Sequence, residues 1–355
     1  MSSKRILVIK LKQPGDVLVS TPVIAALKEA WPHCHLTYLV PKGTEEMVAG
    51  HPGLDDLLVV ERRQESWGEA LGLVRELRRR RFHLVLELSG GDRGAIYARL
   101  SGAPERLGFD HPRRPFWQRR GCFTRLLPRP AVRMHLVDQN LEALRALGLS
   151  PSGPRLQFYW DRQVEERTRE LLASRGLAPH AFVVMHPGAG WRFKCWTPRG
   201  YARVLEALQG EWGLPVVLTG SRAAHEQELL AAILRESRLK TPINLAGRLT
   251  LKELGALIQR ARFFFGVDSA PMHLAAAVDT PAVALFGPSG AFNWGPWGES
   301  HLVLQKDWQC VPCGRDGCEG GKISRCLEEF EPEEVLEAMA RHFGRGDPLG
   351  RPTQP

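Results

Sequence analysis

The sequence predicts an α/β protein built from two open parallel sheets. Short apolar runs with β character alternate with amphipathic stretches, a Pro-, Gly- and Ser-rich passage interrupts the alternation before it restarts, and the apolar runs end abruptly in loops that lead into helix starts. In the first half RILVIKL, HLTYLV, DLLVV and HLVLEL read as strands, with STPVIAALKEAW and SWGEALGLVRELRRR as helices between them. LGLSPSGPRLQF is the linker. Beyond it AFVVMHPG, PVVLTGS, TPINLAG, RFFFGVD and PAVALFG are strands running into loops. TPRGYARVLEALQGEW, AAHEQELLAAILRES, TLKELGALIQRA and APMHLAAAV are the accompanying helices. No internal sequence repeat is visible, so the halves share architecture only. The reading places one domain over 1–155, a second over 156–335, and a C-terminal helix end and tail over 336–355.

The chain has 355 residues and a formal net charge of +9. That excess favours anionic partners and says nothing about fold. Asp279 and Pro281 interrupt the longest apolar candidate, so no run reaches the roughly 18 residues of a membrane span. The apolar stretch after Lys4 and Arg5 is too short for a secretory leader, and a cytoplasmic protein is the expectation. Arginines crowd VRELRRRRF, Val74 to Phe82, and the region from Arg106 to Arg133. The first reads equally as a solvated helix face or a functional surface. The second mixes cations and aromatics without helical period and reads as a surface for nucleic acid, phospholipid headgroups or a phosphorylated glycan.

Ligands in open parallel sheets bind beyond the carboxyl ends of the strands, so the loops there hold the candidate chemistry. In FFFGVDSAPMHLAAAV the strand leaves through Asp268 and Ser269, and Pro271 takes a first-turn position in the next helix. A capped helix start accounts for Asp-Ser-Ala-Pro. His273 is left over, in a first turn whose positive end attracts anions. HPGAGWRFKCW, His186 to Trp196, runs from a strand through glycines to Lys194. It reads either as a turn or as a phosphate loop in which Lys194 supplies charge. In KLKQPGDVLVSTP, Asp16 follows Pro14 and Gly15 in the loop after the first strand, with Ser20 or Thr21 as cap and Pro22 opening the helix. Gly-Asp there is turn chemistry, or a carboxylate placed to act as a general base.

Together ILVIKLKQPGDVLVSTPVIAALKEAWP, HPGAGWRFKCWTPRGYARVLEAL, NLAGRLTLKELGALI and FFFGVDSAPMHLAAAVDTPAVALFGPS resemble the lipopolysaccharide heptosyltransferases of glycosyltransferase family 9, in order over residues 5–290. FKCW and GVDSAPMHLAAAV are most similar to the heptosyltransferase III branch. The resemblance implies a GT-B fold, meaning two Rossmann-like domains facing a cleft. It implies metal-independent, inverting transfer of heptose from ADP-heptose to a phosphorylated lipopolysaccharide core, at the anionic inner leaflet of the cytoplasmic membrane and with no cofactor. By position, Asp16 is similar to the catalytic base, Lys194 to the donor-phosphate lysine and Asp268 to the residue holding heptose hydroxyls. Ser269, Ala270 and His273 resemble the helix-start groups at the pyrophosphate, Glu226 the ribose carboxylate, and Gly247 and Leu249 the adenine-side loop. Ala270 and Pro271 stand where other branches carry a polar residue, so the side chain at 270 offers no contact of its own.

Cys310, Cys313, Cys318 and Cys326 crowd a Gly-rich loop, WQCVPCGRDGCEGGKISRC, and read as a structural metal site, as free thiols, or as disulfides. Cys34, Cys122 and Cys195 read as packing residues. A nucleic-acid binder would explain the charge without requiring Asp16, Lys194 and Asp268 at three strand ends, so no nucleic-acid partner is expected. The remaining alternatives are a heptosyltransferase of type I or II, another ADP-sugar glycosyltransferase, a sugar-nucleotide epimerase on the same fold, or a GT-B scaffold without activity.

Overall fold

The computed structural model describes residues 4–62, 67–110, 121–128, 133–151, 153–239 and 242–344. The chain divides into two compact units, Met1–Tyr159 and Trp160–Pro355. Of the Arg106 to Arg133 surface, 111–120 and 129–132 lie outside the described residues, as does 345–355 of the tail.

The first unit holds β1 (Arg5–Ile9), β2 (His35–Pro41), β3 (Asp56–Val60), β4 (Leu84–Glu87), β5 (Glu105–Phe109) and β6 (Arg125–Leu127). Its helices are α1 (Pro14–Leu18), α2 (Pro22–Ala30), α3 (Trp67–Arg79), α4 (Asp92–Leu100) and α5 (Leu136–Arg145). The strands form one parallel sheet in the order β3-β2-β1-β4-β5-β6. Ile6 to Ile9 are wholly buried, as an unbroken apolar run must be when helices cover both faces of a parallel sheet.

The second unit repeats the plan with β7 (Val183–His186), β8 (Val216–Leu218), β9 (Ile243–Asn244), β10 (Phe263–Val267), β11 (Ala282–Phe286) and β12 (Leu302–Gln305). It carries α6 (Arg162–Ser174), α7 (Pro198–Glu206), α8 (Ala224–Glu236), α9 (Leu251–Gln259), α10 (Ala270–Ala277) and α11 (Pro332–Phe343). The sheet is parallel in the order β12-β11-β10-β7-β8-β9. Phe263 and Phe265 reach the same core as Trp196 and Tyr201, and edge-on ring contacts link Trp196, Tyr201 and Phe265. These are the two parallel sheets of the GT-B expectation.

In both sheets the strand order reverses beside the first strand of the unit, between β1 and β4 and between β10 and β7. Such a switch point splays the loops leaving the two strands and opens a crevice at their carboxyl ends.

Local chemistry departs from the sequence reading in three places. Asp16 lies on the short helix α1, not in a loop. Ser20 and Thr21 do not cap α2: their hydroxyls donate back to the carbonyls of Val17 (2.7 Å) and Leu18 (2.8 Å), prolonging the turn that ends α1. Arg106, read as the start of a basic surface, turns its guanidinium back onto the carbonyl oxygens of Cys122 and Ala103. Side-chain caps form at Thr197, which accepts the Gly200 N–H at 3.0 Å, and at Thr250, whose hydroxyl accepts the Glu253 N–H while the Glu253 carboxylate accepts the Thr250 N–H.

Candidate active site

The switch point of the second unit collects most of the sequence-predicted donor residues. Asp268 follows the last residue of β10 and is buried. Lys194 closes a single 3₁₀ turn, Arg192–Lys194, in the loop after β7. Its Nζ donates to Asp268 Oδ2 at 2.6 Å, with Lys194 23% exposed and Asp268 only 8%. The pair therefore sits at the surface end of a buried carboxylate, where a charge-assisted bond keeps much of its strength and the ammonium still reaches solvent.

Ser269 follows in extended conformation and begins α10, with Ala270, Pro271 and His273 in the first turn and His273 buried. The Ser269 hydroxyl makes no cap: Oγ is buried and has no hydrogen-bond partner among the described residues. A capped helix start thus does not explain this serine. A buried hydroxyl with nothing to bond loses hydration without return. Next to it lie the amino end of α10, which favours negative charge, and the Lys194 ammonium of the same loop cluster.

Glu226, in the first turn of α8, is buried, and its Oε2 accepts the Ser221 N–H at 2.7 Å. The same oxygen stands 3.7 Å from Nε2 of His186, whose Nδ1 pairs with Thr219 Oγ1 at 3.0 Å. Burial lowers the His186 imidazole from its ordinary value against the pull of the Glu226 carboxylate, which favours the neutral ring. The Gly188 backbone lies against this group; a Cβ there would fall 2.5 Å from Glu226 Oε2, so only glycine fits. Gly247 adopts φ +72°, donates its N–H to Gly220 O at 2.7 Å, and accepts Arg222 Nε at 2.9 Å. Leu249 is half-buried two residues on.

Asp16 belongs to the first unit. It is half-buried in the first turn of α1, and Oδ2 accepts the Gln13 N–H at 3.2 Å. Beneath it lies a residue the sequence reading passed over, Lys10, fully buried at the end of β1. Its Nζ donates to Asn140 Oδ1 at 2.8 Å and Leu88 O at 3.0 Å, and Asn140 Nδ2 donates to Val19 O at 3.2 Å, just past α1. Burial lowers the Lys10 ammonium to about 8, with the Asp16 carboxylate the largest opposing influence. Across the switch point Glu87 is buried and accepts the N–H groups of Ser89 (2.9 Å) and Gly90 (3.0 Å), and burial still raises its carboxyl above the ordinary value.

His186 and Lys10 share one signal the sequence did carry: a polar residue ending an apolar strand. His186 is the last residue of β7, not part of a turn.

The four clustered cysteines are free thiols, Cys310, Cys313 and Cys318 exposed and Cys326 buried. Among the described residues no group of three or more His, Cys, Asp or Glu is placed to hold a metal ion. Burial, reinforced by the neighbouring Cys318 and Cys313, pushes the Cys326 thiol up to about 11. No helix among the described residues is long and apolar enough to cross a membrane.

The sequence model of glycosyltransferase family 9 (heptosyltransferase) matches residues 70–324. The chain is 31% identical over 344 residues to lipopolysaccharide heptosyltransferase 3 of Escherichia coli K12, covering 93% of this chain and 96% of that protein. A family 9 glycosyl transferase structure from Veillonella parvula superposes with TM-score 0.83 at 25% identity, over 95% of this chain and 96% of the other. The structure of E. coli ADP-heptose lps heptosyltransferase II superposes with TM-score 0.73 at 24% identity, over 95% and 98%, and at that identity speaks for the fold alone.

Proposed function

The chain belongs to glycosyltransferase family 9, the heptosyltransferases, and from that premise we propose that it transfers heptose from ADP-heptose to the inner core of lipopolysaccharide as a heptosyltransferase III. The observation that carries the reading is the Lys194–Asp268 pair, 2.6 Å apart at the switch point of the second unit and beside the start of α10. An ADP-sugar presents this arrangement with a diphosphate for the cation and the helix terminus, and with sugar hydroxyls for the carboxylate.

The reaction breaks the bond between heptose C1 and the oxygen of the β-phosphate, and the electron pair leaves with ADP. Negative charge builds on that diphosphate, and Lys194, His273 and the amino end of α10 are the groups that stabilise it. Ser269 Oγ, buried with no partner among the described residues, gains one in a phosphate oxygen. Asp268 accepts from heptose hydroxyls while Lys194 turns toward the phosphate. Asp16 takes the proton of the acceptor hydroxyl as its oxygen bonds to C1 from the opposite face, which inverts the anomeric carbon. Glu226 holds the ribose, and Gly247 and Leu249 border the adenine. With the leaving charge met by protein groups, transfer needs no divalent metal. We place the reaction at the cytoplasmic face of the inner membrane, where a cationic protein is drawn to anionic lipid and to a phosphorylated acceptor.

The test is product analysis by mass spectrometry after incubation with ADP-heptose and defined truncated core glycolipids. Addition of one heptose to the acceptor that lacks only the side-branch heptose is the expected result. Transfer only to the acceptors of a type I or II enzyme, or to none, refutes it.

A further inference from the structure

The structure assigns a second anion site to the first unit, at the amino edge of its sheet and away from Asp16: a groove lined by Arg5, Arg78, Arg81, Arg99 and His83 that fits a phosphate-bearing ligand. Arg5 opens β1, His83 immediately precedes β4, and Ser101 to Pro104 lead into β5, whereas Asp16 follows the carboxyl end of β1. The groove has a volume of about 490 Å³, room for a diphosphate or a sugar phosphate.

The four-arginine run divides by function. Arg79 and Arg80 pair with Glu76, and Arg80 also pairs with Asp56. The outer two, Arg78 and Arg81, face the groove, and neither they nor Arg5 nor Arg99 has a carboxylate within ion-pair distance among the described residues. A merely solvated helix face would spread its cations. Here four arginines, from β1, the end of α3 and α4, converge on one concavity, with no ion-pair partner among the described residues.

Two of the groups are held ready. Arg78 Nε donates to Leu100 O at 3.1 Å, which pins the guanidinium between α3 and the end of α4 while its terminal nitrogens stay available. The Arg5 N–H donates to His83 Nδ1 at 3.0 Å, so Nδ1 is the acceptor and the ring proton sits on Nε2, a further donor. Arg81 adopts φ 49°, a left-handed conformation just past α3 where glycine costs least. An arginine kept there spends backbone strain to place a charge. The crowding extends to Arg106, whose guanidinium is lowered first by burial and then by the Arg99 cation. Guanidinium groups pair their N–H donors with carboxylate and phosphate oxygens alike, and four of them on one concavity suit the higher charge of a phosphate.

The site is independent of the donor reading. The test uses the full chain with saturating ADP present and inorganic pyrophosphate as titrant, followed by calorimetry, on wild type and on Arg78→Glu/Arg99→Glu. A parallel arm measures co-sedimentation with phosphatidylglycerol vesicles against phosphatidylcholine vesicles. Pyrophosphate binding that weakens at least tenfold in the variant, with ADP affinity unchanged, establishes a site for a free phosphate ligand. Binding to anionic vesicles only, lost in the variant, establishes the same site with a lipid headgroup as its source. The milder Arg78→Gln/Arg99→Gln should show the same loss to a smaller degree, and it decides the matter if charge reversal impairs folding. If wild type binds neither probe, or the variants bind as wild type does, the groove is not an anion site.

Discussion

Replacing Lys194 with alanine tests donor binding and the buried pair at once. The 2.6 Å bond joins an 8% exposed carboxylate to a 23% exposed ammonium, so the substitution strands the Asp268 charge. Breaking a fully buried pair costs about 3–5 kcal/mol, but Lys194 reaches solvent and water will fill part of its place. A loss of about 1.5–3 kcal/mol of folding stability, the range for a charge-assisted hydrogen bond, is therefore expected in urea unfolding. Asp268→Asn in the same background should recover part of it by removing the stranded charge. ADP affinity should fall at least tenfold. At ADP about 100-fold above the wild-type Kd the ligand stabilises wild type by about 2.7 kcal/mol, and a tenfold weaker site gains only about half that. An ADP-induced stabilisation equal in both proteins would refute the placement of the diphosphate at Lys194, whatever happens to basal stability.

Asp16→Asn keeps the size and the bond from the Gln13 N–H while losing basicity, so turnover should fall by about 10²–10⁴ with ADP-heptose affinity and melting temperature nearly unchanged. Near-normal turnover would remove Asp16 from the mechanism. Prior treatment with EDTA should leave turnover intact; activity lost to the chelator and restored by magnesium would show that Lys194 and α10 do not suffice at the diphosphate. Lys10 titrates near 8 in the folded protein against 10.5 for the free group, so above pH 8 the unfolded chain binds more protons and stability should rise with pH through that window. Lys10→Met lacks the group, and the difference in urea midpoint between the two proteins should shift in favour of wild type as pH passes 8; a pH-independent difference would show that Lys10 titrates normally.

Sequence made the strands at the sheet centres plain because their apolar runs are unbroken: RILVI, LVLE, VVMH and FFFGV have no competing period. The edge was harder. β5, ERLGF, carries Glu105 and Arg106, and Gly108 is there because a Cβ would meet the Phe123 ring at 2.4 Å, a tertiary reason that no window of sequence contains. α4 and α5 were passed over too: DRGAIYARL breaks its helical pattern with Gly94, which packs so closely on Glu87 that a Cβ would lie 2.3 Å from Oε1. At the donor site the residues were legible one by one, since Asp268, Ser269 and Lys194 stand beside strand ends and helix starts. Their grouping was not. Nothing local says that Lys194 reaches Asp268 across 74 positions, or that Ser269 leaves its hydroxyl unused where a cap was the economical expectation.

Where each unit hides its polar residues is itself an argument for function. Lys10 follows β1, Glu87 ends β4, His186 ends β7, Thr219 follows β8 and Asp268 follows β10, all of them buried and all at carboxyl ends. Burying such groups costs free energy unless each finds partners, and here the partners are drawn from neighbouring strand ends: Leu88 O and Asn140 for Lys10, Thr219 and Glu226 for His186, Lys194 for Asp268. At the amino edge of the first sheet Arg5, Arg81 and Arg99 are exposed and have no carboxylate within ion-pair distance among the described residues. A protein selected for stability alone would end its strands in apolar or solvated residues, so the concentration of costly groups at one edge marks where interactions are reserved for a bound molecule. Glu87 sharpens the point. It is held by two amide donors yet raised by burial, a carboxylate the fold tolerates beside Lys10 and below Asp16. The two N–H groups bond different oxygens, Oε1 and Oε2, so Glu87→Gln keeps one contact through its amide oxygen and sets an N–H donor against the other; the unit should lose stability, and turnover of the folded variant should fall only if the carboxylate shares in holding Lys10 beneath the base. Undiminished turnover would assign Glu87 to the fold alone and leave Lys10 as the group that supports Asp16.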